Sequence, residues 1–211
     1  LDIDSVGRFD NSNYIKAGFG SLRTPFVQAG FSFGDGETAG LNIYAKHVGS
    51  DGKREFQKFS NTNVKLSGYF RSGNNLEWNA GIGMKQERMY KYGYEPQTLS
   101  FSNDSLKQNF QTISARVGFH NINKTEFGLT YSPEVKIDVF SDDFKNSESN
   151  TVVNLPLQKT LGKEWVINLG VTFDLTRLSP KNKTALNNTM YYISPSVLYK
   201  SSNINAQIGI R

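Results

Sequence analysis

The chain has 211 residues, 37% of them hydrophobic, with a mean hydropathy of −0.49 and a net charge of +5 at pH 7. This length predicts a single domain over residues 1–211, and no stretch approaches the ~18 consecutive apolar residues that a membrane-spanning helix needs. The absence of cysteine excludes a disulfide framework, a thiolate metal site and a cysteine nucleophile. Lys and Arg form no runs and are interspersed with Asp and Glu, which favours a solvated surface over a nucleic-acid partner.

From residue 14 onward, the chain alternates apolar and polar side chains with a period of two. Successive side chains of a β-strand point to opposite faces, so the pattern predicts strands with one apolar and one polar face. No segment shows a competing helical pattern, and residues 1–9 are a candidate for one further strand. Pro133, Pro156 and Pro195 lie inside predicted strands, where each removes a ladder donor and predicts broken pairing. The predicted strands cover residues 14–20, 24–34, 38–48, 62–71, 76–90, 110–119, 125–139, 153–157, 165–176, 191–199 and 204–210.

The stretch 125–139 shows the alternation most clearly. Its odd positions, from Phe127 to Val139, are apolar, and its even positions, from Glu126 to Asp138, are polar, charged or glycine. Strands of globular domains usually run about 5 to 6 residues, which is less than half of this length. A strand this long with charge on one face favours a barrel wall with lipid outside and water inside.

Short and long connections alternate from residue 34 onward. Turn residues mark short connections at 34–37, 72–75, 121–124, 161–163 and 201–203, and longer polar segments at 49–61, 91–107, 141–148 and 178–188. In an up-and-down barrel every second connection lies on the same rim, and outer-membrane barrels have short periplasmic turns and long extracellular loops. The sequence therefore predicts an all-β, antiparallel, up-and-down transmembrane β-barrel of about 10–12 strands.

Aromatic residues of the apolar face gather near the short turns. This placement on one face and one rim is the one expected of an interfacial aromatic girdle. The predicted membrane-interface aromatics are Phe33, Phe70, Trp78, Phe119, Phe127, Trp165 and Tyr199.

The polar face carries charges of both signs in adjacent strands. Inside a barrel, such side chains either line a water-filled passage or pair across strands and fill the lumen, and both readings stay open. The predicted lumen-lining residues are Lys16, Lys46, Lys65, Arg71, Glu77, Lys85, Arg116, Glu126, Glu134, Lys136, Asp138 and Asp174.

The residues give little support to catalysis, a cofactor or a metal. His47 adjoins a long loop and His120 adjoins a short turn, so the topology places them on opposite rims. Neither has the motif context of a serine hydrolase. Asp142, Asp143 and Glu148 could serve Ca²⁺, but polar loops of this composition are usually solvated. We therefore predict no catalytic residues, no metal site and no cofactor.

Two short motifs carry a family resemblance, YIKAGFG at residues 14–20 and YKYGYEP at residues 90–96. With the long alternating strands and the Asn/Ser/Lys-rich loops, they resemble outer-membrane barrel proteins of Bacteroides-type bacteria that are similar to TonB-dependent receptors. The resemblance implies a location in the bacterial outer membrane and a role in transport. The last predicted strand runs away from the short-turn rim, so the chain is either a barrel or a segment of a larger one.

The leading hypothesis is a non-enzymatic outer-membrane barrel that serves as a channel or receptor, with outer-membrane lipid and an unidentified small solute as its partners. The first alternative is a soluble, exported, adhesin-like β-sheet protein, whose apolar face would form a core between sheets. The second is a lipid-modifying barrel enzyme, which would place a histidine next to a serine or carboxylate in an open cleft.

Overall fold

The structure is a computed structural model that describes residues 13–54, 56–91, 93 and 98–210. Twelve strands form one antiparallel sheet in which, apart from β7, neighbours along the chain are neighbours in space. The predicted all-β, up-and-down architecture is thus confirmed, while the candidate strand at residues 1–9 lies outside the described ranges. The elements are β1 Tyr14–Gly20, β2 Thr24–Gly34, β3 Ala39–Ser50, β4 Phe59–Ser72, β5 Leu76–Tyr90, α1 Asn103–Leu106, β6 Lys107–Asn121, β7 Leu129–Tyr131, β8 Glu134–Asp142, β9 Ser147–Leu161, β10 Trp165–Ser179, β11 Leu186–Lys200 and β12 Asn205–Gly209.

Within the described residues, the sheet does not close on itself. β1 pairs with β2 alone and β12 with β11 alone, so one edge of each stays unpaired. β7 and β8 both pair with β9 in one continuous register and occupy a single position in the sheet. This arrangement makes β1 and β12 run in the same direction, which prevents them from forming an antiparallel pair with each other.

The connections lie on two rims. The turn rim holds residues 35–38, 73–75, 122–128, 162–164 and 201–204, and the loop rim holds 21–23, 51–58, 91–106, 143–146 and 180–185. The predicted sorting of short and long connections fails at two places, because the connection at 122–128 is longer than expected and the one at 143–146 is tight. Asp142 closes the tight turn by accepting a hydrogen bond from the backbone N–H of Asn146 at 2.9 Å.

One element was not predicted. α1 is a single turn within the connection 91–106, where Ser102 caps it by accepting a hydrogen bond from the Ser105 N–H. No helix in the part of the chain that the structure describes is long and apolar enough to cross a membrane.

The predicted strand at 125–139 is interrupted twice. A turn closes through the Gly128 N–H and the Thr125 carbonyl at 2.8 Å, and Gly128 adopts a φ of 70°, which favours glycine. Glu126 and Phe127 therefore lie in this turn rather than in a strand. Pro133 then separates β7 from β8, since it has no N–H to donate to the ladder.

The other two prolines do not end their strands. β9 continues through Pro156, which pairs with Gly170, and β11 continues through Pro195, which pairs with Leu169. The Pro195 carbonyl accepts a hydrogen bond from the Ile210 N–H at 3.0 Å, so the side of Pro195 that lacks a donor faces the end of β12. A missing donor costs little there, because the ladder ends at that point.

Asn121 replaces the missing ladder between β6 and β7. Its side chain is 3% exposed and donates to the carbonyls of Asn123 at 2.8 Å and Leu129 at 2.9 Å. Its amide oxygen accepts from the Tyr131 N–H at 2.8 Å. One side chain thus satisfies the backbone groups that the interruption leaves without strand partners.

Asp35 organises the first turn of the turn rim. One carboxylate oxygen accepts hydrogen bonds from the backbone N–H groups of Glu37, Thr38 and Ala39 at 2.9, 2.7 and 3.0 Å. These bonds, led by the one from Ala39, lower the pKa of Asp35 well below its ordinary value of 3.8.

The lowered pKa of Asp35 predicts acid sensitivity. A carboxyl group whose pKa is lower in the folded than in the unfolded protein stabilises the fold at pH values above the unfolded-state pKa. This stabilisation is lost as pH falls from the unfolded-state pKa through the folded-state pKa. We expect Asp35→Ala to lower the Tm at pH 7 and the difference from the wild type to narrow as pH falls below about 4. Thermal unfolding between pH 7 and pH 2 measures this, with Glu37→Ala as the control for losing a carboxylate in the same turn. An equal gap at all pH values would contradict the prediction.

Candidate functional site

Two faces of opposite character run across the whole sheet. Val135 pairs with Val117 on one side and Val153 on the other, so apolar side chains continue from strand to strand. One residue further along β8, Lys136 pairs with Arg116 on the opposite face. The registers of the remaining pairs extend these two surfaces, the apolar face and the polar face, from β1 to β12.

No layer of protein covers the apolar face in the described part of the chain. Among the described residues, no large side chain is fully buried, and Leu106 and Val166 are the only buried hydrophobic residues. In the middle of the face, Ile82 is 54% exposed and Ile193 is 59% exposed. Such a wide exposed apolar surface marks a contact with another apolar phase or partner.

The exposed apolar side chains form a band with two borders. In β10 the band runs from Trp165 to Leu175, and the next residue on that face towards the loop rim is Arg177. The same change occurs across the sheet, because polar residues of adjacent strands pair beyond the band. This polar border on the loop-rim side includes His47, Thr62, Gln86, Gln111, Ser141, Ser149 and Arg177.

The other border of the apolar band, at the turn rim, is aromatic. The ring centroids of Trp78 and Phe119 lie 4.7 Å apart, and those of Trp165 and Tyr199 lie 4.8 Å apart. Tyr131, which was not predicted as part of this group, joins it with its ring centroid 6.2 Å from that of Phe119. Its position in the row depends on β7, which the sequence did not separate from β8.

The predicted interface aromatics occupy this border with one exception. Phe70 pairs with Trp78, and Phe33 lies next to the end of β2 on the same face and is 51% exposed. Phe127 lies in the turn at 122–128 and is 81% exposed. All but Phe127 are thus strand residues of the apolar face.

The predicted lumen-lining residues lie on the polar face, again with one exception. Their strand registers place them on one surface, while Glu126 is exposed in the turn before β7. The residues on the polar face are Lys16, Lys46, Lys65, Arg71, Glu77, Lys85, Arg116, Glu134, Lys136, Asp138 and Asp174.

Several of these charges pair with each other. Arg71 Nε lies 2.6 Å from Glu77 Oε2, and Lys136 Nζ lies 2.8 Å from Asp138 Oδ2. Glu87, a residue that sequence reasoning did not select, lies 2.8 Å from Lys85 Nζ. It shares the alternation of β5 and could have been found by extending the polar face towards Tyr90.

Charge is distributed unevenly over the polar face. Cations dominate its first half, where Lys16, Lys46, Lys65 and Arg116 have no carboxylate within salt-bridge distance among the described residues. Carboxylates dominate the second half, at Glu134, Asp138, Asp142, Glu148 and Asp174. A solute in contact with both halves would experience a field across the sheet.

The two histidines lie far apart, on different faces. His47 Nδ1 forms a hydrogen bond with Thr62 Oγ1 at 2.8 Å on the apolar face near the loop rim. His120 is on the polar face near the turn rim, with Nε2 3.8 Å from Glu77 Oε1. The predicted placement on opposite rims is confirmed.

Within the described ranges, no three His, Asp or Glu side chains come together as metal ligands would. Asp142 uses both carboxylate oxygens to close its own turn, since Oδ2 also accepts from the Asn146 side chain at 2.8 Å. Comparison with protein-family models and with curated proteins gives no match to this chain.

Proposed function

We propose that this sheet is the wall of a bacterial outer-membrane β-barrel that acts as a non-enzymatic channel or receptor for a small solute. The observation that supports this most directly is the uncovered apolar band, bordered by aromatic side chains at one rim and by polar side chains at the other. Lipid-facing walls of such barrels have an apolar band between two interfacial zones, and aromatic residues concentrate at those zones.

The height of the apolar band fits a bilayer. From Trp165 to Leu175, about ten steps of about 3.3 Å give about 33 Å along the strand. A strand tilt of about 40° reduces this to about 25 Å, the height of the apolar band in outer-membrane barrels. A sheet that packs on a second sheet needs no such aromatic border, because its apolar face ends wherever the core ends.

Closure of the barrel requires strands beyond those that pair here. β1 and β12 point in the same direction, so an antiparallel barrel needs an odd number of additional strands between them. Pairing of the free edges would also remove their unsatisfied backbone donors and acceptors, which are costly in a membrane.

The polar face would then line the lumen and contact the solute. The ion pair Arg71–Glu77 joins β4 to β5, and Lys136–Asp138 pairs two charges within β8, while Lys65 and Arg116 keep their charge available to a passing anion. The resemblance to TonB-dependent receptors also supports the transport role.

Detergent dependence and conductance test the proposal. We expect the full chain to need detergent for extraction, to migrate differently on gels before and after heating, and to conduct ions in planar bilayers. Brominated lipids should quench its two tryptophans, because Trp78 and Trp165 are 43% and 49% exposed on the apolar face. A chain that stays soluble in plain buffer and leaves bilayers non-conducting would instead support the adhesin-like alternative.

A further inference from the structure

A groove of about 580 Å³ opens on the apolar face at the loop rim, where β1 to β5 meet the connection 51–58. We call it the rim groove. It lies beyond the apolar band, at the level where the face becomes polar. Its lining combines aromatic with basic side chains, namely Phe19, Phe59 and Tyr90 with Arg23, Lys58 and Arg88.

Positive charge exceeds negative charge in the rim groove. Among the described residues that line it, Asp51 is the one carboxylate, and its Oδ2 lies 3.5 Å from Arg23 Nη1. Lys58 Nζ lies 4.9 Å from the centroid of the Tyr90 ring, and Arg88 pairs through its backbone with Ser60. The side chains of Lys58 and Arg88 are exposed, so their charges are available to a ligand.

The walls of the rim groove are fixed by hydrogen bonds between two connections. The Asp51 N–H donates to the Leu22 carbonyl at 3.0 Å. Thr24 Oγ1 donates to the Ser21 carbonyl at 2.6 Å and lies 3.2 Å from Ser50 Oγ. Gly49 also lines the groove, and a Cβ atom there would lie 3.2 Å from the Phe59 carbonyl oxygen.

We propose that the rim groove binds the anionic phosphate headgroup of a lipid in the leaflet next to the loop rim. This inference rests on the proposed function, since it takes the apolar band to be in contact with lipid. Lys and Arg recognise phosphate oxygens by charge-assisted hydrogen bonds, and each cation near a membrane surface adds measurable affinity for anionic lipid.

The surroundings favour a lipid over a free anion. Phe19, at the edge of the groove, is 76% exposed, and Val27, one step further into the apolar band, is 47% exposed. Both belong to the apolar face, so an acyl chain could descend along them while the phosphate stays among the cations. A free anion would gain nothing from this apolar continuation.

Short-chain lipids in solution give the test. We would titrate the purified full chain with dihexanoyl phosphatidic acid and, separately, with dihexanoyl phosphatidylcholine and inorganic phosphate, and follow binding by calorimetry. We expect the phosphatidic acid to bind most tightly. The double variant Lys58→Gln/Arg88→Gln should weaken its binding about 30-fold. Each of the two lost cations contributes about 1 kcal/mol, and together they correspond to this change in affinity.

Arg177→Gln is the matched control, because Arg177 is an exposed cation on the same face and rim but in β10. It should leave the affinity unchanged, and unaltered circular dichroism should show that all variants fold. The proposal is overturned if inorganic phosphate or the zwitterionic lipid binds equally well, if the double variant binds like the wild type, or if Arg177→Gln weakens binding as much. The titration needs no bilayer, so the two proposals can fail separately. If the chain binds phosphatidic acid selectively but does not insert into membranes, the proposed function is wrong and the lipid-binding site stands.

Discussion

Leu169→Arg should destabilise the protein in lipid vesicles by about 2–4 kcal/mol under the proposed function, which would place this Arg on the lipid face near the bilayer midplane. Leu169 lies in the middle of the apolar band of β10, between Leu157 and Pro195, and is 36% exposed with no protein layer above it. Its charged replacement would have to stay in hydrocarbon or pull water into the membrane.

Asn168→Arg is the matched control for Leu169→Arg, since it places the same side chain one residue away on the polar face. It removes a hydrogen bond of 3.2 Å to Ser196 Oγ, so we expect a loss of no more than about 1 kcal/mol. Urea unfolding in vesicles, followed by tryptophan fluorescence, measures both free energies. If Asn168→Arg costs as much as Leu169→Arg or more, the proposed orientation of the two faces is wrong.

Asn121→Ala should lower the free energy of unfolding by about 1–3 kcal/mol, because it leaves one backbone N–H without its acceptor. The Tyr131 N–H would lose its acceptor, while the Leu129 carbonyl would keep the Thr125 N–H as a donor at 3.0 Å. The Tyr131 N–H lies where β6 has no ladder with β7, so no neighbouring strand can replace the amide oxygen.

Asn123→Ala is the control for Asn121→Ala, because it removes an amide side chain from the neighbouring turn at 122–128 and leaves Asn121 in place. The Asn123 side chain is exposed and donates only to Asn75 Oδ1, at 3.1 Å, so its loss should cost about 0.5 kcal/mol or less. Chemical unfolding of both variants under identical conditions gives the comparison. Similar losses for the two would mean that the turn, and not the buried amide, stabilises the junction of β6 and β7.

The alternation of apolar and polar residues was enough to predict the strands and the two faces. Each strand residue has a fixed side, so the position of Leu169 or Lys136 on a face follows from counting along the chain once the strand is known. The same rule explains why the aromatic border and the charged polar face could be predicted residue by residue. Each of the two predicted sets has one residue that lies off its face. These residues, Phe127 and Glu126, are both in the turn at 122–128.

Local backbone chemistry explains these failures. Period-two alternation continues through Glu126 and Pro133, but the hydrogen bond from Gly128 to Thr125 folds the chain into a turn and the missing N–H of Pro133 divides the strand. The sequence likewise did not predict the tight turn at 143–146, because the turn closes through a hydrogen bond from the Asn146 N–H to the Asp142 side chain.

By itself, the sequence determined an antiparallel all-β sheet with one apolar and one polar surface, because side-chain direction in a strand depends only on position along the chain. The tertiary structure alone decided that β1 and β12 each keep one edge unpaired in the described residues, that Asn121 bridges an interrupted ladder, and that three cations line the rim groove. These features join residues that are distant in sequence, and their contacts follow from strand register and loop closure rather than from any local pattern.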